Sequence, residues 1–206
     1  MKLFLASEAK HPESLKALEE FVGRFKNKSI AYIPTAANGE CWGSWQEGGT
    51  WKLLQTLDSN VTLIQLEDYW NTDPLKMLQG KDIIWFGGGQ CGYLMYWIRR
   101  TQLDLHIKKL LDSGSIYVGS SAGSMITGKN LDTVEWYIGE QEHGASIIPG
   151  LGLVDFDIYP HFEDSEYEQI KKLYKRKKLY LLKNGEEIIV ENQIVRVIGE
   201  ERMIVT

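Results

Sequence analysis

Short apolar runs alternate with longer amphipathic stretches through the first two thirds of the chain, and this alternation limits the possible folds more than any other feature. Lys2–Ala6, Ser29–Ile33, Val61–Leu66, Asp82–Phe86 and Ser115–Gly119 read as strands. Between the first two, Pro12–Phe25 carries Leu15, Leu18, Phe21, Val22 and Phe25 at helical spacing. Further helices are predicted around Trp51–Leu57, after Pro74, up to Arg100, and over Leu103, Ile107, Leu110 and Leu111, the last stopped by Gly114. Strands alternating with helices imply βαβ units, hence an α/β fold with a mostly parallel sheet and helices on both faces. Ligand sites in such sheets lie at the carboxyl ends of the strands.

The last third changes character. Leu151–Tyr159 is a strand-like run and Ser165–Lys178 a charged helix. Leu179–Leu182, Glu187–Val190, Ile194–Ile198 and Met203–Val205 read as short strands, with Asn184-Gly185 as the hairpin turn between the first two. There is no internal repeat, low-complexity tract or linker, so residues 1–206 are read as a single domain. A chain of 206 residues buries roughly 70% of its unfolded surface and needs no disulfide or metal staple. Its two cysteines, Cys41 and Cys91, supply neither a disulfide framework nor a four-ligand zinc site. A net charge of −5 argues against a nucleic-acid partner, since such affinity is built from clustered Lys and Arg. No apolar run approaches a membrane span, and the apolar start is too short for a signal peptide, so the expected location is cytoplasmic.

The sharpest local feature is Ile116-Tyr117-Val118-Gly119-Ser120-Ser121-Ala122-Gly123-Ser124, an apolar strand running into Gly-x-Ser-x-Gly and a helix start. A nucleophile elbow requires this context: flanking glycines permit a sharp turn, and the central serine is lifted above the sheet. Ser121 alone holds the central position, and the backbone N–H of Ala122 points where an oxyanion would form. Ser120 and Ser124 are expected to serve turn or capping hydrogen bonds. The bland alternative for the whole motif is a tight turn made of small residues.

A serine nucleophile needs a base, and there are four histidines. His11 and His106 sit at helix starts or borders, and His143 lies in the polar segment Glu140–Gly144. His161 follows a strand-like run and so falls at a carboxyl end, which favours it over the others; the alternative is an ordinary loop histidine. Gly87-Gly88-Gly89-Gln90 either cradles a phosphate or gives a second oxyanion donor. No Gly-x-Gly-x-x-Gly accompanies it, and Gly128-Lys129 is followed by Asn130, which speaks against a nucleotide cofactor. Cys91, a lone cysteine in an apolar helix, reads as core. Glu140, Glu142 and His143 lack the spacing of a metal site.

The strand with Gly87-Gly88-Gly89-Gln90, the segment Gly119-Ser120-Ser121-Ala122-Gly123, and Tyr159-Pro160-His161-Phe162 follow in the order found in the serine peptidases related to aspartyl dipeptidase, family S51. The chain resembles that family over roughly residues 80 to 163. The resemblance implies a class I glutamine amidotransferase-like fold with serine in place of cysteine. It implies Ser121 as nucleophile, His161 as general base, and the N–H groups of Ala122 and Gly88 as oxyanion hole, with no cofactor and no metal. For the triad acid it offers Asp132, Glu135 and Glu140, and Glu135, nearest the family's offset, is the one expected. Gln90 departs from the Asn usual there. The expected activity is hydrolysis of short peptides through an acyl-enzyme. An esterase or amidase on small molecules, or a non-catalytic relative binding a ligand in the same cleft, would use the same residues. Trp42, Trp45 and Trp51 could wall a pocket or form the contact of a homodimer. No Arg and three acids occupy Asp164–Ile170, so a preference for N-terminal Asp is not expected.

Overall fold

Strand β1 (Lys2–Ala6) is buried at every position after the first, because it lies inside a sheet covered on both faces. The structure, a computed structural model, describes residues 1–40, 44–138 and 140–206. Within these the strands are β1, β2 (Ser29–Ile33), β3 (Asn60–Leu63), β4 (Ile83–Phe86), β5 (Ile116–Ser120), β6 (Asp157–Tyr159), β7 (Lys178–Leu181), β8 (Glu187–Glu191), β9 (Ile194–Ile198) and β10 (Met203–Val205). The main sheet runs in the order β3-β2-β4-β5-β1-β8-β9, parallel from β3 through β1 and antiparallel thereafter. A smaller sheet has the order β10-β7-β6.

Side-chain alternation divides the core into two layers. Leu3, Leu5, Ile33, Ile84, Phe86 and Tyr117 pack with Leu94, Met95 and Ile98 of the helix Cys91–Arg100. Phe4, Ile30, Tyr32, Ile83, Trp85 and Val118 pack on the other face with Leu18 and Val22 of the helix Pro12–Val22. That helix stops three residues before Phe25, because Gly23 takes a left-handed φ of 74° and returns its N–H to Glu19. Among the described residues no helix is long and apolar enough to cross a membrane.

Three expectations for the last third are corrected. Of Leu151–Tyr159 only Asp157–Tyr159 is strand. The preceding residues instead line the backbone after Ser121, where Leu151, Gly152 and Leu153 donate to Ile126, Gly128 and Thr127. The helix over Ser165–Lys178 is a 3₁₀ turn (Asp164–Glu166) and a helix Tyr167–Leu173, ended by Tyr174 in an extended conformation. Asn184-Gly185 does not close a hairpin, since β7 and β8 belong to different sheets. The hairpin of this region joins β8 to β9 through Asn192-Gln193, both at positive φ.

Candidate active site

The carboxyl ends of β1, β2, β4 and β5 meet at one edge of the sheet, and the turns leaving them carry the candidate residues. β5 ends at Ser120, and Ser121 turns the chain with φ 51° and ψ −113°, a conformation costly for a residue with a side chain. Its N–H donates to the carbonyls of Ala6 and Ser7, both at 3.1 Å, and its carbonyl receives the N–H groups of Ser124 and Met125. The flanking glycines are there for space: a Cβ on Gly123 would lie 2.4 Å from the Phe86 carbonyl oxygen. Ser120 Oγ accepts the Ala9 N–H and Ser124 Oγ donates to Ala6, the structural tasks expected of the flanking hydroxyls.

Gly88 faces the Ser121 side chain. A Cβ there would stand 3.2 Å from Ser121 Cβ and 3.8 Å from Oγ. The loop is held by Gly87 N–H donating to Ile33 and Gln90 N–H donating to Ala36. Its junction with the helix Cys91–Arg100 is closed by Glu142, whose carboxylate accepts the N–H groups of Cys91 and Gly92, each at 2.7 Å. Burial raises the Glu142 carboxyl above the ordinary range, the two N–H bonds oppose it, and Glu140 adds to the rise. Burial also pushes the Cys91 thiol up, away from the thiolate a nucleophile requires.

His161 follows β6 with φ 53° and is exposed. Its backbone N–H is bound by Ser7, the residue whose carbonyl also holds Ser121. Its Nδ1 lies 2.6 Å from Asn184 Oδ1. Ser121 Oγ and the imidazole are not hydrogen-bonded to each other here; such bonds commonly tighten only with substrate present. A cavity of about 310 Å³ opens beside His161, lined by His161, Phe162, Glu163, Asp164, Lys183 and Asn184. Of the other histidines, His11 lies at a helix N-cap with its ring against Gly185, His106 stands at a helix N-cap, and His143 is exposed in a loop.

None of the three sequence candidates for a triad acid bonds His161. Glu135 spends both carboxylate oxygens on the N–H groups of Gly144 and Ser146, which lower its pKa. Asp132 pairs with Arg176, and Glu140 is exposed. Trp45 is buried and packs edge-on against Trp51, which is half-buried, stacks on Tyr32 and packs against the core layer of Phe4 and Val118. Trp42 and Cys41 lie outside the described residues.

Comparison with known proteins shows the family. Residues 3–198 match the model of peptidase family S51. The chain belongs to peptidase family S51. Relatives of this S51 peptidase include the uncharacterized peptidase Lmo0363 of Listeria monocytogenes, 26% identical with 94% of this chain and 96% of that protein covered. The uncharacterized peptidase PM1590 of Pasteurella multocida is 27% identical, with 98% and 99% covered. Peptidase E of Shewanella amazonensis is 31% identical over 54% of this chain and 44% of its own length. A crystal structure described as a candidate Peptidase E protein from Listeria monocytogenes EGD-e superposes with a TM-score of 0.78 at 26% identity, covering 95% and 96% of the two chains.

In this S51 peptidase, sequence reasoning missed Asn184, Ser7 and Glu142. Asn184 left a trace in the Asn-Gly pair, which marks a turn without saying what it touches, and Glu142 shows in the sequence only as a metal-site candidate without the spacing.

Proposed function

We propose that this S51 peptidase is a serine-type enzyme that hydrolyses short peptides, with Ser121 as nucleophile, His161 as general base and Asn184 as the group that orients the imidazole. The observation that carries the reading is the strained Ser121 turn at the carboxyl end of β5, with the Gly88 backbone against its side chain. Ser121 Oγ attacks the peptide carbonyl while His161 Nε2 takes its proton. The N–H groups of Gly88 and Ala122 stabilise the negative oxygen of the tetrahedral intermediate. His161 then protonates the departing amine, and water, activated by the same imidazole, releases the acyl group. Asn184 replaces the expected carboxylate. It holds the ring through Nδ1–H but adds no negative charge to stabilise the imidazolium.

Ser121→Ala tests the reading. Hydrolysis of a dipeptide panel should fall on the order of 10⁴–10⁶ in kcat, with circular dichroism and Tm unchanged. A fluorophosphonate probe should label the wild type and not the variant. Full activity in Ser121→Ala would remove serine chemistry from this protein.

A further inference from the structure

One residue touches Ser121, His161 and Asn184. Ser7 follows β1 and is fully buried. Its N–H donates to Glu186, and its carbonyl accepts the Ser121 N–H, both at 3.1 Å. Its Oγ accepts the His161 backbone N–H at 2.7 Å and lies 3.1 Å from Asn184 Oδ1. A hydroxyl carries a single proton. Oγ receives the His161 N–H, and among the described residues the acceptor for its own buried proton is Asn184, so an Asn184 turned around would leave that proton without a partner and the atom facing it is the acceptor. That atom is Oδ1, the same oxygen that stands 2.6 Å from His161 Nδ1. An oxygen there obliges Nδ1 to be the protonated ring nitrogen and leaves Nε2 with a free lone pair.

We propose that Ser7 is a positioning residue that fixes the amide orientation of Asn184 and, through it, the base-competent tautomer of His161. A carboxylate partner would need no such help, since both of its oxygens accept. An amide has a donor end and an acceptor end, and an amide turned around would present N–H to Nδ1 and move the ring proton to Nε2. Ser7 removes that ambiguity. The inference rests on the reading of His161 as the base, but its first measurement does not depend on activity.

Nitrogen-15 spectra of the histidine-labelled full chain, with His161 identified from a His161→Gln sample, report the tautomer directly. The wild type should show neutral His161 protonated at Nδ1. An Nε2–H tautomer in the wild type overturns the proposal without any variant. Ser7→Ala should admit the Nε2–H form and lower kcat on the order of 10²-fold with KM within about twofold, short of the ~10⁴-fold loss of a triad locked in the wrong tautomer. In Ser7→Ala/Asn184→Asp the carboxylate has no donor end, so the Nδ1–H signal and most of the lost kcat should return. A merely structural serine would not be rescued this way, and an unrescued double variant or an unchanged tautomer in Ser7→Ala refutes the idea. Should Ser121→Ala remain active while the tautomer follows Ser7, the serine mechanism fails and the Ser7 inference stands.

Discussion

Ser121 and Gly88 show how much of the site is decided atom by atom. The Ser121 conformation costs about 1–3 kcal/mol, and the fold meets that cost with backbone hydrogen bonds to Ala6, Ser7, Ser124 and Met125. Gly88 has no comparable strain; its requirement is space, because the nearest atoms to its absent Cβ are Ser120 O and the Ser121 side chain. Gly88→Ala should therefore fold with a Tm close to wild type while a methyl crowds the region above Oγ. A kcat loss on the order of 10² is expected, similar to losing one oxyanion donor. A Tm collapse, or unchanged kcat, would contradict that placement. The Gly-x-Ser-x-Gly motif was legible in sequence because it is contiguous and each residue has a local reason. Asn184 was not, because its contact with His161 is made by tertiary docking across 23 residues.

At the scale of elements, the parallel strands were legible for a physical reason. Strands buried on both faces are nearly continuous apolar runs, and Ser29–Ile33 and Ile83–Phe86 stand out as such. Leu151–Val154 misled because apolar residues pack just as well without a strand partner. Charge on β8 was equally hard to read. Glu187 opens that strand fully buried, with one carboxylate oxygen on Ser14 Oγ at 2.6 Å and the other unpartnered. Burial raises its pKa from 4.5 to about 7, against the opposing Ser14 bond. The folded state thus keeps a proton that the unfolded chain has released. Stability from this group is fully present below the unfolded value and is lost as pH rises towards about 7, by roughly 3 kcal/mol over the whole window. Glu187→Gln has no proton to lose. Urea unfolding at pH 5 and pH 8 should show the variant gaining on wild type at the higher pH; parallel changes would mean that Glu187 is solvated.

For the molecule as a whole, charge argues about substrate. Near the start of the helix Cys91–Arg100, burial raises the carboxyls of Glu40 and Glu142, and nearby acids, Glu140 and Glu142 for Glu40 and Glu140 for Glu142, add to the rise. Lys183, which lines the cavity beside His161, is engaged by Asp164 at 2.6 Å, and Arg176, beside Asp157 and Tyr174, is engaged by Asp132. A buried substrate carboxylate needs a cation of its own. Asp-Leu should therefore be hydrolysed no better than Ala-Leu or Lys-Leu by kcat/KM. A tenfold or greater preference for Asp-Leu would show that Lys183 exchanges Asp164 for the substrate. The sheet order carries a consequence of another kind. β1 lies between β5, which delivers Ser121, and β8, which follows the turn bearing Asn184. On the ribosome the chain emerges in order, so Ser121 is made well before His161 and Asn184, while the β8 side of β1 is still bare. The proposed nucleophile and its proposed base are thus separated in time as well as in sequence, and a half-synthesised copy lacks the imidazole that would take the Ser121 proton.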